Sequence, residues 1–276
     1  MTTASGRPGT AGASRAADQA DQTAEVSWFD VRQISLNGSD LAEMDAREKA
    51  RAAAFVFPAD RHRYQVAHVM LRRVLAGHLG TDPSRLTFGR QHCPTCGGPA
   101  GKPMLTGLHD PDGGGQPGDG AWPGLSFSLA HSGEAVAVAV ARGPVGIDVE
   151  PEATGCVCSL ASAMHEADAA IVEVLPEPER HLAVIRWWVR AEAVLKCAGT
   201  GIAHGMDAFP VLGAPVRSRV PSGLPPGPRL PLEPDVPGWA AAAGCSFAAL
   251  SAPKGYQAAL ALPGLRLIRY RWGPDR

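Results

Sequence analysis

The run from residue 135 to residue 150 constrains the fold most, because it begins with a regular alternation of side chains and ends in two carboxylates. Alanine and valine alternate from residue 135 to residue 140, and Val145, Ile147 and Val149 continue the strand character. A period of two predicts β-strands, since successive side chains of a strand point to opposite faces. Asp148 and Glu150 are therefore expected on one face, roughly 7 Å apart at their Cα atoms.

A second charged motif lies about forty residues further along, on a helix predicted over residues 178–198. Trp188, Glu192 and Lys196 are spaced by four residues and share one face of that helix. Carboxylate oxygens are the ligands that Mg²⁺ prefers, usually a few of them together with substrate phosphates. Glu192 could complete a site begun by the two strand carboxylates or act as a base, and the Lys196 amine could meet phosphate oxygens.

Each motif taken alone has a structural alternative. Asp148 and Glu150 could be solvated residues at the end of a strand. Glu192 and Lys196 could form an ordinary helix pair that contributes only a few tenths of a kcal/mol, about 0.3. The combination of the motifs, and the basic residues upstream of them, favours a site for a phosphorylated ligand.

Three upstream segments carry further candidates. Gly101-Lys102-Pro103 places a lysine in a rigid loop, and His131 is predicted at the mouth of a hairpin. Residues 45–75 hold seven Lys or Arg against three Asp or Glu, and include Arg51 and Arg63. Arginine matches phosphate oxygens with a planar fork, although a loop lysine, a half-buried histidine and a solvated basic helix face remain the structural alternatives.

These motifs, in this order, resemble the 4′-phosphopantetheinyl transferases of the surfactin type. The resemblance covers roughly residues 26–262 and rests on these residues: Arg51, Phe55, Asp60 to Arg63, Gly101 to Pro103, Phe127 to Gly133, Gly146 to Glu150, Trp188 to Lys196 and Gly199. It implies transfer of the phosphopantetheine arm of coenzyme A to a serine of an apo acyl or peptidyl carrier protein, with release of 3′,5′-ADP.

The resemblance also implies a role for each site residue. Asp148, Glu150 and Glu192 would bind Mg²⁺ together with the pyrophosphate of coenzyme A. Glu192 would also deprotonate the carrier serine, and Lys196 would neutralise or protonate the departing phosphate. Four basic residues would contact the phosphates of coenzyme A, the 3′-phosphate above all: Lys102, His131, Arg51 and Arg63.

Two positions depart from the pattern of the family. Many members carry lysine directly before the motif glutamate, where this chain has Ala191, and the usual Ser-His-Ser reads Ala130-His131-Ser132. Neither change touches the expected metal ligands, so we expect an active enzyme and a neutral or mildly activating effect of Ala191→Lys. The alternatives are a degenerate, non-catalytic binder of coenzyme A or carrier protein, and a Mg²⁺-dependent pyrophosphate hydrolase.

The cysteines suggest a reduced protein. Cys93 and Cys96 have the spacing of a zinc knuckle, but no second pair follows at a suitable distance, so a turn with two thiols is favoured over bound zinc. Six cysteines without a framework pattern suit the cytoplasm. A net charge of −1 and a modest basic cluster argue against nucleic-acid binding, and no apolar run reaches the length of a membrane span.

The resemblance organises the chain into two similar halves. A polar tail, expected to be disordered, occupies residues 1–24, and α/β halves follow over residues 25–145 and 146–276. The expected fold is α/β (α+β), with the halves related by a pseudo-twofold axis and coenzyme A in the cleft between them. Because one chain supplies both halves of the site, we expect a monomer. Helices are predicted near residues 40–54, 60–79 and 165–175, and a terminal hairpin over residues 246–262.

Overall fold

The computed structural model describes residues 23–99, 101–109, 124–153, 155, 158–201, 205–213, 245–263 and 267–273. The tail expected over residues 1–24 lies outside this part of the chain, except for its last two residues, which begin the first strand. None of the helices in the described part is long and apolar enough to span a membrane.

The described residues form a mixed α/β fold. The strands are β1 Thr23–Asp30, β2 Leu86–Arg90, β3 Pro103–Leu108, β4 Leu125–Ser132, β5 Ala135–Arg142, β6 Gly146–Pro151, β7 Cys245–Ala249, β8 Tyr256–Pro263 and β9 Leu267–Trp272. The helices are α1 Gly38–Ala42, α2 Ala46–Ala53, α3 Pro58–Leu79, α4 Glu166–Val174 and α5 Glu177–Ala198, with 3₁₀ turns at Val31–Gln33, Pro83–Arg85 and Cys158–Ala163.

One helix predicted over residues 40–54 is in fact two helices. Asp45 begins the second of them, because its side chain accepts the backbone N–H of Glu48 while the Glu48 side chain accepts the N–H of Asp45. This reciprocal cap starts a new helix, so the prediction of a continuous helix was wrong. The other predicted helices and the terminal hairpin of β7 and β8 are confirmed.

The strands form two sheets and a separate ribbon. The first sheet has the order β4-β5-β1-β9, with β9 parallel to β1 and the other neighbours antiparallel. The second sheet is antiparallel with the order β6-β8-β7, and β2 pairs with β3 in the ribbon. Strand β9 thus returns to the sheet that holds β1, the first strand of the described residues.

The two sheets lie face to face between two long helices, and the alternation in β5 explains why. The valines at residues 136, 138 and 140 pack against α3, whereas the alanines at residues 135, 137 and 139 face the second sheet. Small side chains on the inner face let the sheets approach closely. The outer face of the second sheet packs on α5, where Trp187 and Phe247 are buried in a third apolar cluster.

Candidate active site

Gly146 brings helix α5 against the first residues of strand β6. A Cβ atom at this position would overlap the carbonyl oxygen of Ala193 and the backbone nitrogen of Cys197. Only glycine therefore permits this contact between helix and strand. Because side chains alternate along β6, Asp148 and Glu150 follow Gly146 on the face turned to α5, as the sequence indicates.

Asp148 is a buried carboxylate that the protein satisfies only in part. Its Oδ1 atom accepts a hydrogen bond from Lys196 Nζ over 2.6 Å. Its Oδ2 atom is buried and has no hydrogen-bond partner among the described residues. Burial raises the pKa of Asp148 to about 7, although the neighbouring Lys196 ammonium acts in the opposite direction. The carboxylate is thus held in a place that disfavours its charge.

Glu192, on the facing helix, is likewise a buried carboxylate that the protein satisfies only in part. It is buried, and its Oε1 atom has no partner in the described part of the protein. Burial raises its pKa, Lys196 lowers it and the negative charge of Glu150 raises it further. Glu150 itself is half-buried and accepts a hydrogen bond from Ser132 Oγ over 2.6 Å. The negative charges of Glu192 and Glu150 also act to raise the pKa of Asp148, so the three carboxylates form one cluster.

The donor set fits a hard divalent cation. The side chains offer only carboxylate oxygens, two of which are buried without a partner, and Mg²⁺ prefers such oxygen ligands. An uncompensated buried carboxylate is expensive, and a bound cation would offset that cost. As they stand, the His, Cys, Asp and Glu side chains of the described residues form no group of three arranged to hold a metal ion.

A cleft of about 760 Å³ opens beside this cluster, and Lys196 belongs to both. Its walls come from α2, α3, the β2–β3 ribbon, β4 and the end of α5. The lining residues are Asp45, Arg47, Glu48, Arg51, Tyr64, His68, Leu71, Phe88, Gly89, Arg90, Pro99, Gly101, Lys102, Pro103, Phe127, Ser128, Leu129, Leu195, Lys196, Gly199 and Gly201. Segments far apart in sequence thus line one cavity, which carries basic, aromatic and small residues.

Two of the predicted phosphate-binding residues line this cleft. Arg51 is exposed, and its guanidinium carbon lies 5.3 Å from the centre of the Phe55 ring. Lys102 is half-buried and donates to the carbonyl oxygen of Val145 over 2.5 Å. Burial lowers its pKa, whereas the nearby thiols of Cys197 and Cys245 raise it. The hydrogen bond to Val145 holds the Lys102 amine at the junction between β5 and β6.

The other two predicted residues, Arg63 and His131, are not part of that lining and lie around the β4–β5 turn instead. Arg63 donates through Nε to the carbonyl oxygen of Gly133 and through Nη1 to Asp60 Oδ1. His131 keeps part of its surface exposed, but loss of solvation around its ring lowers its pKa to about 4. The charges of His68, Lys196 and Arg63 lower that pKa further. His131 is thus a neutral ring in a basic neighbourhood.

The two departures from the family pattern lie in apolar surroundings. Ala191 has no exposed surface and belongs to the cluster between α5 and the second sheet. Ala130 packs between the two sheets. Arg190, next to Ala191, points to a different partner and donates to the carbonyl oxygen of Val211 over 3.0 Å. It does not take the place of the lysine that many family members carry.

Sequence reasoning missed several residues that line the cleft. Arg47, Arg90 and His68 stand in its wall, and Arg90 donates to the carbonyl oxygen of Gly101 beside Lys102. One sequence signal, a charged residue within an apolar run, did point to this part of the structure. Arg72 interrupts the apolar run of α3, and the structure buries it completely against Glu48. A charge inside an apolar helix face is expected to have a buried partner.

The cysteines are thiols wherever the structure describes their state. Cys93 is buried and Cys96 exposed in a turn closed by hydrogen bonds from Gly97 N–H to Cys93 O and from Cys93 N–H to Gly98 O. Cys197 and Cys245, 48 residues apart in sequence, have their sulfur atoms 3.2 Å apart. The spacing of the cysteines gave no indication of this second contact.

Comparison with known proteins adds an independent observation. Residues 144–223 match the model of the 4′-phosphopantetheinyl transferase superfamily. That stretch contains both charged motifs, Gly146 to Glu150 and Trp188 to Lys196. The match therefore falls on the elements that carry the buried carboxylates and Lys196.

Three relatives are named as 4′-phosphopantetheinyl transferases. The chain is 31% identical to the 4′-phosphopantetheinyl transferase HetI of Nostoc sp. over 59% of its own length and 62% of that protein. It is 35% identical to the transferase psf-1 of Bacillus pumilus over 59% and 60%. It is 23% identical to a transferase of Bacillus subtilis over 62% and 67%. The chain spans less than two thirds of the length of HetI and of psf-1. These matches are similarities to 4′-phosphopantetheinyl transferases.

Proposed function

We propose that this chain transfers the 4′-phosphopantetheine arm of coenzyme A to a serine of an apo acyl or peptidyl carrier protein and releases 3′,5′-ADP. The observation that carries the proposal is the pair of buried carboxylates, Asp148 and Glu192, each with an unpartnered oxygen, beside a basic cleft. The superfamily match over the same elements supports it.

Asp148, Glu150 and Glu192 would hold Mg²⁺. Bound there, the ion would neutralise negative charge on the pyrophosphate of coenzyme A and orient it. The two unpartnered oxygens and the exclusively oxygen donor set are what make these residues suitable. Lys196, which already binds Asp148, stands at the boundary between this cluster and the cleft.

In the transfer, the hydroxyl oxygen of the carrier serine attacks the phosphorus that bears the pantetheine arm. Glu192 takes the serine proton, a task suited to a carboxylate whose pKa is raised by burial. The bond between that phosphorus and the bridging oxygen breaks, and 3′,5′-ADP departs with the electron pair. Lys196 neutralises the charge that develops on the departing phosphate.

The cleft would receive coenzyme A. Arg51 and Lys102 line it and would contact the phosphates, with Arg63 and His131 contributing from the β4–β5 turn. A volume of about 760 Å³ lies within the range of cavities that hold cofactor-sized ligands. Basic groups around such a cavity favour a ligand with several phosphates.

We further propose the surfactin-type arrangement, a monomer with two similar halves over residues 25–145 and 146–276. Helices α3 and α5 support it. Each has 22 residues, carries proline in its first turn and ends at a glycine in the left-handed conformation, Gly80 with φ 63° and Gly199 with φ 79°. Each also covers the outer face of one sheet. The free thiols are in keeping with a reducing cytoplasm.

The deciding experiment is the intact mass of a panel of apo carrier proteins after incubation with the protein, coenzyme A and Mg²⁺. A gain of one phosphopantetheine arm that disappears with EDTA supports the proposal. Binding of coenzyme A without any gain of mass on a carrier would identify a non-catalytic binder instead. Cleavage of coenzyme A in the absence of a carrier would identify a hydrolase.

A further inference from the structure

Two large apolar side chains stand side by side on the surface where helix α2 gives way to α3. Val56 is 83% exposed and Phe57 is 68% exposed. Single exposed apolar residues are common on proteins, but adjacent ones that stay mostly exposed form a contiguous patch. Such a patch on a folded chain indicates contact with another molecule.

Local structure does not account for Phe57. It occupies the cap position before α3 and makes no side-chain hydrogen bond to the helix. Serine, threonine, aspartate and asparagine are preferred there, because their side chains satisfy a free backbone N–H. A phenylalanine at this position neither caps the helix nor enters the core, so the reason for its presence lies outside the fold.

The patch lies on the rim of the cleft. Arg51 and Tyr64, which flank it in sequence, both line the cavity, and the ring of Phe55 lies 5.4 Å from that of Tyr64. On the other side, Arg63 donates to the carbonyl oxygen of Gly133. Gly133 directly follows Ser132, the partner of Glu150. A protein that brings a serine to the carboxylate cluster would therefore meet this rim.

Charge around the patch is positive. Two cationic residues beside it are exposed: Arg51, whose guanidinium lies over the Phe55 ring, and Arg61, which donates to the carbonyl oxygen of Phe55. The neighbouring acidic groups are already engaged, since Glu48 is buried against Arg72 and Asp60 is paired with Arg63. An apolar centre with a cationic border complements a partner surface with an apolar centre and a carboxylate border.

We propose that Val56 and Phe57 form the docking surface for the protein substrate, and that it takes an acidic carrier protein beside its accepting serine. The inference rests on the proposed function, because it names the partner of that same site. The apolar pair supplies the buried centre of the contact, and the cations of Arg51 and Arg61 steer and border it.

The test is steady-state transfer with the double variant Val56→Ser/Phe57→Ser, using the acidic apo carrier protein that the unmodified chain accepts best. We expect the KM for the carrier to rise at least about fivefold, because buried apolar anchors dominate such contacts. The KM for coenzyme A, the kcat and the melting temperature stay unchanged, since neither side chain packs in the core or faces the cavity. Raising NaCl should raise the carrier KM of the unmodified chain.

The matched control is Val174→Ser at the end of α4, where a valine is 82% exposed away from any residue assigned to the site. It should leave the carrier KM unchanged. An unchanged carrier KM in the double variant would overturn the inference while transfer by the unmodified chain continues. If the carrier KM is unchanged and the protein binds phosphatidylglycerol vesicles in a manner that depends on Phe57, the inference is also overturned. The patch would then be assigned to a membrane surface. No transfer by the unmodified chain would instead overturn the proposed function, and this inference with it.

Discussion

Two buried charged clusters, one beneath each long helix, differ in how completely their polar atoms are hydrogen-bonded. Under α3, Arg72 has no exposed surface, donates to Glu48 Oε2 over 2.7 Å and donates to the carbonyl oxygens of Pro83 and Leu86 over 3.0 Å. His68 binds the other oxygen of Glu48. Under α5, Asp148 and Glu192 each keep one buried oxygen without a partner in the described part of the chain.

The pKa values of the carboxyl groups differ between the two clusters as their hydrogen bonding does. Burial would raise the pKa of Glu48, but hydrogen bonds from His68 and from the backbone of Asp45, together with the charge of Arg72, hold it below its usual value. Burial raises the pKa of Asp148 to about 7 despite the nearby Lys196. A satisfied cluster stabilises the fold, whereas an unsatisfied one keeps its oxygens available for a ligand.

Glu192→Gln tests the unsatisfied cluster and carries the largest expected effect. The amide keeps the shape of the side chain but cannot take the serine proton, so transfer should fall by roughly a hundredfold to ten-thousandfold. The melting temperature should hold or rise, because an uncompensated buried charge is removed. Initial rates of carrier modification by intact mass and a thermal melt measure both quantities.

Glu179→Gln, in the exposed first turn of the same helix, is the control and should retain full activity. Full activity in Glu192→Gln would exclude the assigned base. A loss of activity accompanied by a large fall in melting temperature would show that Glu192 belongs to the structural class represented by Glu48.

Arg72→Met tests the satisfied cluster. Removing the guanidinium leaves Glu48 buried without its main cation, so the free energy of unfolding should fall by about 3–5 kcal/mol. Urea denaturation at neutral pH measures the loss. The neighbouring Arg73→Met is the control, because Arg73 is 38% exposed in its pair with Glu43 and should lose no more than about 1 kcal/mol. Equal losses in the two variants would remove the contrast between buried and exposed pairs.

Ala191→Lys tests whether helix α5 has room for the lysine that many 4′-phosphopantetheinyl transferases carry at this position. The sequence alone favours a neutral or mildly activating change, but Ala191 has no exposed surface and packs in the apolar cluster under α5. An amine there must displace core side chains or be buried, so unfolding should cost at least about 2 kcal/mol less. Urea denaturation measures it, with Arg186→Lys on the exposed face as control. Unchanged stability would show that α5 shifts to release the lysine to solvent.

The sequence predicted local patterns well and distant pairings poorly. The alternation at residues 135–140 indicated β5, and the four-residue spacing of Glu192 and Lys196 placed both on one helix face, because these depend on period alone. The break at Asp45 was missed, since the reciprocal cap with Glu48 competes with continuation of the helix. Strand β9 was missed because it pairs with β1, whose residues 23–28 lie far from residues 267–272 in sequence.

The candidate site follows the same rule. The motif residues were found because charges within apolar runs stand out in a sequence. The bond from Lys196 to Asp148, the close contact of Cys197 with Cys245 and the cleft wall at Arg90 depend on tertiary packing. No spacing along the chain encodes them.

The smallest expected effect concerns His131 and the stability of the protein at acidic pH. Its pKa is lowered to about 4 from the usual 6.5 by loss of solvation and by the neighbouring cations. Between these values the unfolded chain binds a proton that the folded chain does not, so the stabilising contribution is full above pH 6.5 and is lost as the pH falls toward 4. His131→Asn should therefore lose less stability than the unmodified chain between pH 7 and pH 4.5. Urea denaturation at both pH values measures the difference, and parallel losses in the two proteins would show that the ring titrates as it does in solvent.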